Sequence, residues 1–440
     1  VTALGVLGAP LVILLFAPGF EQEGSRYELA VEMLRWTFPY IFFISLVALA
    51  AGVLNSYGKF AWAAFNPIIL NLVMIVFAAF VAPGFEQPGV ALSIGVFVAG
   101  VVQMAAQFWN LRRLKLLRMP RWAAAHEGVR RVGRLMLPGI FGSSVAQISL
   151  LLDTWIASFL VTGSIAWMYY ADRLVEFPMG VFAIALATVI LPGLSAHHAQ
   201  ASSERFNATL DWALRLTFTI ALPAAVGLLV LSGPLIATIY GYGKFTDRDV
   251  EMAAYALMAY SIGLMGFSFV KVLAPGYFAR QDTKTPVRVG ILSLGVNMGF
   301  NLAVVVPAHL LGFPYPHALL AFSTGLGAYV NTALLYRGLR RQGVYRPSAR
   351  WKRLAPQVAA ANLAMAGFLW WAAGDWSAWP DWPVLKRVLR LAGCVVGGGV
   401  VYFAVLWLTG LRYRDLRVEP VRDAPGGADR PPPAPPPAEG

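Results

Sequence analysis

Charge is what this sequence has least of. Only 13% of its 440 residues are Asp, Glu, Lys or Arg, against 58% hydrophobic residues. An ordinary soluble domain carries about 25% charged residues, so a soluble globular protein is excluded. Cysteine is nearly absent as well. Cys394 stands alone, which rules out an intramolecular disulfide framework. The five histidines are His126, His197, His198, His309 and His317, and none has zinc-ligand spacing with cysteine or a second histidine. No G-x-x-x-x-G-K-[ST] loop occurs, so the chain has no phosphate cradle for an ATP-driven cycle. No separate signal peptide is evident.

Long apolar runs are what it has in excess. A helix needs about 20 apolar residues to cross the hydrocarbon core of a bilayer. Twelve runs approach that length: 1–17, 33–54, 62–82, 89–110, 135–161, 166–193, 210–231, 251–279, 287–306, 317–337, 354–373 and 387–409. The pattern predicts an all-α polytopic membrane protein with about 12 transmembrane helices. A β-barrel would show strands of about ten residues with alternating polarity.

The net charge of +13 is distributed in a way that argues against nucleic acid. With the N-terminus inside and the runs alternating, the inner loops hold Lys59, the eight basic residues from Arg112 to Arg134, Arg205, Arg280, Lys284 and Arg288. They also hold the seven from Arg337 to Arg353 and five in the tail. The outer loops hold Arg26, Lys244 and Arg248. This asymmetry sets orientation in membranes. It places both termini in the cytoplasm and makes anionic phospholipid headgroups the partners of the basic surface. Lys386, Arg387 and Arg390, near the outer end of the last run, break the pattern.

The basic stretch 111–134 reads as an amphipathic cytoplasmic linker. It separates an N-lobe at 1–110 from a C-lobe at 135–337. A second basic cytoplasmic loop, 338–353, precedes two further helices at 354–409. The cytoplasmic tail 410–440 is Pro/Gly-rich from Glu419 and is expected to be disordered. The chain begins with Val1, already inside an apolar run of about 17 residues. That start reads either as a GTG codon written as Val or as a missing N-terminal part. "APGFEQEG" at 17–24 recurs as "APGFEQPG" at 82–89, either as repeated turn chemistry or as a duplicated helix pair. Pro39, Pro67, Pro138, Pro178, Pro192, Pro223 and Pro275 interrupt the helices. Each tends to kink, as in a protein that rocks around a wet cavity.

Against this apolar background, "WMYYADRLVEFP" (167–178) places Asp172, Arg173 and Glu176 on a membrane helix. A charge at the bilayer centre costs at least about 2.5–3.5 kcal/mol, so the cluster needs a reason. Asp172 and Glu176 share a helix face, and Arg173 and Glu176 are spaced to pair. They form either an end-of-helix salt bridge or the polar wall of an internal cavity. In the second case Arg173 meets an anion with its planar, always-ionised fork, and Tyr169 and Tyr170 offer a sugar- or lipid-facing surface beside it. Asp153 lies well inside the fifth run, Asn297 and Asn301 share a face of the ninth, and Ser323 and Thr324 occupy the tenth. These oxygens either hold a small hard cation such as sodium or hydrogen-bond between helices. Lys271 and Arg35 read as side chains snorkelling from near helix ends.

Four stretches together resemble the MurJ (MviN) lipid II flippase family, within the multidrug, oligosaccharidyl-lipid and polysaccharide exporters. They are "LRWTFPYIFFISLVALAAGVLNSYGKFAWAAFNPIILN" (34–71), "WMYYADRLVEFPMGVFAIALATVILPGLS" (167–195), "YGYGKFT" (240–246) and "VKVLAPGYFARQDTKTPV" (270–287). The resemblance runs from about residue 1 to 412. It implies fourteen helices in the family, as two six-helix lobes around a central cavity plus two helices lining a lipid groove. The first run here then matches the family's third helix, so the first two, with further cavity arginines, are expected to be absent from this chain.

The implied function is to move lipid II, an undecaprenyl-diphosphate-linked peptidoglycan precursor, to the outer leaflet of the bacterial inner membrane by alternating access. Asp172, Arg173 and Glu176 match the family's cavity motif, with Arg173 on the diphosphate. Asp153 matches a position tied to sodium in some members, with Asn297, Asn301 and Ser323 as companions. Asn301 stands where some relatives carry an acidic residue. No cofactor is implied beyond coupling to Na+ or the membrane potential. A monomer touching the cell wall synthesis machinery is expected. The competing readings are a drug or polysaccharide-lipid exporter of the same superfamily, and a membrane-embedded glycosyltransferase or ligase. The short outer loops speak against an enzyme.

Overall fold

The computed structural model describes residues 2–412 except 23, 58, 60, 61, 63, 64, 118–126 and 201, and among these it contains helices and turns with no strand. Much of the predicted linker (118–126) and nearly all of the tail (413–440) therefore lie outside the described residues. The chain divides into two compact units, Val1–Val161 and Thr162–Gly440.

The first unit contains α1 (Thr2–Leu7), α2 (Ala9–Phe16), α3 (Gly24–Thr37), α4 (Tyr40–Ser56), α5 (Asn66–Val76), α6 (Pro88–Arg113) and α7 (Glu127–Phe159). Helices α3, α4 and α5 all pack on α6. Their contact is partly polar. Gln103 donates to the Asn66 carbonyl at 2.8 Å and accepts from the Tyr40 hydroxyl at 3.1 Å. Gln107 donates to Asn66 Oδ1 and to the Trp62 carbonyl, both at 2.8 Å. The two repeated "APGFEQ" stretches both contain 3₁₀ turns, at Pro18–Gln22 and Ala82–Gly84. The first turn packs on α7, where the Gly19 amide donates to Ser158 Oγ at 3.2 Å. A Cβ on Gly19 would meet the Ser158 carbonyl oxygen, so the approach requires glycine.

The second unit contains α8 (Ser164–Pro178), α9 (Ala185–Ala199), α10 (Ser203–Val230), α11 (Ser232–Ile239), α12 (Asp247–Phe278), α13 (Lys284–Phe300), α14 (Val306–Leu310), α15 (Pro316–Arg341), α16 (Trp351–Ala373) and α17 (Val384–Leu408). Its centre is α12, packed against α8, α10 and α15. A capping box starts α12: Asp249 N–H donates to Thr246 Oγ1 at 3.2 Å and Thr246 N–H to Asp249 Oδ2 at 2.8 Å. Such caps stabilise a helix start by about 1 kcal/mol.

Lipid tails are as apolar as leucine, so membrane helices gain by close backbone approach rather than by burying oil. Here Gly263 faces Gly325, and a Cβ on either residue would lie within 3 Å of the other's Cα. At that separation two hydroxyls cross the interface: Tyr329 donates to the Ile262 carbonyl at 2.7 Å and Thr332 to the Gly266 carbonyl at 2.9 Å. Tyr277 closes the far end on the Leu335 carbonyl at 2.7 Å.

Among the described residues, nine helical stretches are long and apolar enough to cross a membrane. They cover nine of the twelve predicted runs. Of the rest, run 1–17 folds as the short α1 and α2, broken at Gly8. Run 354–373 falls in α16, where Pro356, Gln357 and Asn362 lower the hydropathy, and run 135–161 falls in α7, part of whose side chains lie outside the described residues. Three stretches contain a π-helical turn, at Phe77–Val81, Met179–Ile184 and Asn301–Val305. The second follows Pro178, which cannot donate a backbone hydrogen bond.

Gly325→Leu should force α12 and α15 apart and cost about 1–3 kcal/mol, read as a lower thermal midpoint in detergent. Gly295→Ala, where the added Cβ meets nothing within 4 Å, should instead raise it slightly through helix propensity.

Candidate functional site

Helix α8 begins after Gly163, which adopts a φ of +102°. A side chain there would strike the Trp167 ring, so glycine turns the chain and Trp167 covers it. Trp167 donates from Nε1 to Asp249 Oδ1 at 2.7 Å, fixing α8 to the start of α12. With the register set, one face of α8 is buried through Trp167, Met168, Ala171 and Val175. The charged residues stand on the other face. Arg173 Nη1 lies 2.7 Å from Glu176 Oε2, and Nη2 lies 3.7 Å from Asp172 Oδ2. The arginine side chain is 46% exposed and the two acids are similarly open. The cluster is therefore an accessible cation held between two carboxylates. The guanidinium also lies 4.9 Å above the Tyr169 ring.

The α11–α12 loop adds rings that sequence reasoning left unused. Tyr240 lies 4.7 Å from Tyr170, and Phe245 lies 5.5 Å from Tyr170 at 79°. Gly243, at φ +64°, makes the turn between them. Both residues stand in the "YGYGKFT" stretch, which marked a family resemblance without revealing that it meets α8.

Asn297, Asn301 and Ser323 come together at the contact of α13 with α15. Asn301 donates to Asn297 Oδ1 at 3.1 Å and Asn297 to Ser323 Oγ at 3.3 Å. Ser323 in turn hydrogen-bonds Asn301 Oδ1 and the Leu320 carbonyl. All three are at most 3% exposed. Asp153 is carried by α7 of the first unit, where it is 7% exposed. Among the described residues no group of three or more His, Cys, Asp or Glu could hold a metal ion. Lys271 and Arg35 are both exposed.

Two buried charges were missed or left unexplained by the sequence. Asp211, on α10, accepts from Arg215 Nε at 3.0 Å and from the Tyr345 hydroxyl and Trp351 Nε1 at 2.9 Å each. Ser348 Oγ donates to it at 2.7 Å and the Ser348 amide at 3.2 Å. One carboxylate thus pins the basic loop and the start of α16 to α10. The Asp211–Arg215 spacing of four was a readable signal. Arg387, one of the cations that broke the expected charge asymmetry, donates to the carbonyls of Ala237 at 2.9 Å, Gly241 at 3.0 Å and Trp382 at 2.8 Å, and also to Pro380. Arg390 donates to the Ala372 carbonyl and Lys386 stacks over Trp382. Arg387 and Arg390 are thus held by backbone oxygen and Lys386 by an aromatic face.

The turn before α13 has its own lock. Asp282 accepts from the Thr285 amide at 3.0 Å and from its hydroxyl at 2.7 Å. Burial pushes the Asp282 carboxyl up, but these hydrogen bonds outweigh it and hold the group below the ordinary carboxylate value.

Helices of this length, one of them carrying an accessible arginine between acids, define a polytopic helical membrane protein. Comparison with known proteins agrees. A family model described as lipid II flippase MurJ matches residues 1–391. The probable lipid II flippase MurJ of Vibrio cholerae is 44% identical over 424 residues, covering 95% of this chain and 79% of that protein. The lipid II flippase MurJ of Burkholderia cenocepacia is 43% identical over 422 residues, covering 94% and 80%. A solved lipid II flippase MurJ in an inward closed conformation superposes with a TM-score of 0.76 at 24% identity, over 94% of this chain and 80% of that one. An inward-facing multidrug resistance MATE family transporter shares the fold at a TM-score of 0.59 and 17% identity, over 78% and 79%. The chain belongs to the lipid II flippase MurJ family.

Asp211→Ala should orphan five donors and cost about 3–5 kcal/mol, as breaking a buried pair does. Limited proteolysis should then cut within 342–350, which the wild type protects. For Asp282, a depressed folded pKa contributes stability above the unfolded value of about 3.9 that is lost as pH falls through the folded value. Thr285 amide protection, corrected for intrinsic exchange, should hold to about pH 4 and fall below it. In Asp282→Asn it should not respond to pH in that range.

Proposed function

We infer that the chain moves lipid II across the bacterial cytoplasmic membrane, from inner to outer leaflet, by alternating access. Family membership supports the substrate, and the half-exposed Arg173 between Glu176 and Asp172 carries the mechanism. In a low-dielectric setting an arginine without an anion is costly. Glu176 acts as its resident ligand. An arriving diphosphate offers the planar fork two parallel hydrogen bonds and a higher charge. It displaces the carboxylate, and when the headgroup leaves, Glu176 takes the guanidinium back. The site is never left as a bare charge, and no covalent chemistry is needed.

Coupling to Na+ or the membrane potential completes this reading. Asn297, Asn301 and Ser323 supply oxygen ligands suited to a hard cation within the second unit, and Asp153 is a separate acidic candidate in the first. Both termini are read as cytoplasmic, with the basic loops against anionic phospholipid, and the working unit as a monomer. The fold alone also suits a drug exporter. The family match is what favours lipid II.

In a flippase-depleted bacterium, the chain should restore exposure of lipid-linked precursor to an enzyme added outside, and Arg173→Ala should abolish it. Wild-type exposure from Arg173→Ala, with equal insertion, would sink the assignment of Arg173. Glu176→Gln removes the competing ligand, so affinity for lipid II should rise about twofold to fivefold while turnover slows. Unchanged affinity would mean that Glu176 does not compete.

A further inference from the structure

Tyr169, Tyr170, Tyr240 and Phe245 form one continuous group of rings in the second unit. Neighbouring centroids lie 4.7–6.0 Å apart, as Tyr169–Tyr170, Tyr170–Tyr240 and Tyr170–Phe245. The group is not sealed into the core. Tyr169 is 56% exposed and the other three are half-buried. Arg173 stacks on its edge, and Asp172 and Glu176 stand on the next turn. Nothing in the diphosphate exchange requires four rings, and an aromatic surface gives phosphate no hydrogen bond.

The loop bearing Tyr240 is held from outside. Arg387 binds the carbonyls of Ala237 and Gly241, which flank Tyr240, and lies 5.7 Å from the Tyr242 ring. A buried arginine spent on backbone oxygens fixes where Tyr240 points.

Rings beside carboxylates are the chemistry that recognises a pyranose. The C–H face of the sugar lies on the electron-rich ring faces, and its hydroxyls donate to the acids. A hydrocarbon tail would satisfy the rings but strip water from Arg173 and both carboxylates, which is costly. We propose that Tyr169, Tyr170, Tyr240 and Phe245 form a saccharide platform adjoining Arg173, that Tyr240 is a specificity-determining residue for the sugar-bearing headgroup, and that Arg387 is its positioning residue. The platform rests on the lipid II reading and adds the part of the headgroup beyond the diphosphate.

The test compares two lipids with the same tail and diphosphate. Affinities of the purified full chain for lipid II and for undecaprenyl diphosphate, which lacks the sugars and the peptide they carry, are measured in matched nanodiscs. Tyr240→Leu should weaken lipid II binding about threefold to tenfold and leave undecaprenyl diphosphate within twofold, the second lipid also reporting that the variant is folded. Tyr240→Phe keeps the ring and should retain most of the preference. Arg387→Lys, which loses the fork, should reduce the preference as Tyr240→Leu does. Equal loss for both lipids, or no loss for either, would overturn the platform. Arg173→Ala, by contrast, should weaken both lipids. If it weakens neither, the diphosphate site fails, and the platform is judged on the Tyr240 ratio.

Discussion

Hydrocarbon offers no hydrogen-bond partner, so a chain of this composition must satisfy each polar group from within. The second unit meets that constraint with a few dense knots. Asp211 gathers five donors from α10, the 342–350 loop and α16. Arg387 spends its guanidinium on four backbone carbonyls. Asn297, Asn301 and Ser323 satisfy one another. Between the knots, α12 and α15 approach so closely at Gly263 and Gly325 that tyrosine and threonine hydroxyls reach across.

The same constraint separates scaffold from working parts. Asp211 and Arg215 are 4% and 8% exposed, and the Asp211 carboxylate is held by five donors. Arg173 is 46% exposed and tied to acids that are themselves open. A saturated, sealed charge fixes structure, whereas a charge with an exchangeable partner can change ligands during a cycle. The Asn297–Asn301–Ser323 knot lies between these cases. It is sealed, and its amide and hydroxyl oxygens are of the type a hard cation takes. Its π-helical turn at Asn301–Val305 is the kind of local irregularity found at functional positions.

Much of this was legible in the sequence. Apolar run length gave the helical membrane fold, and nine of the twelve runs match stretches able to span. The cost of charge in lipid singled out Asp172, Arg173 and Glu176, and their i,i+3 pairing forms as spacing requires. Helical periodicity put Asn297 and Asn301 on one face, and Ser323 joins them from α15. What escaped was nonlocal. Nothing in "YGYGKFT" says that Tyr240 meets Tyr170, since the contact depends on how α11 and α12 frame the loop. Arg387 looked like an exception to the charge rule because that rule counts cations and cannot see carbonyls. Asp211 sat at the edge of an apolar run, where a charge ordinarily reaches water.

The most direct measurement is the rate at which lipid II in reconstituted vesicles becomes reachable by a membrane-impermeant headgroup reagent, for the wild type and for Arg173→Ala at equal incorporation. The account predicts that the wild type accelerates exposure and that Arg173→Ala falls to the rate of protein-free vesicles. Equal rates for the two proteins would contradict it, because the diphosphate would then cross without the arginine.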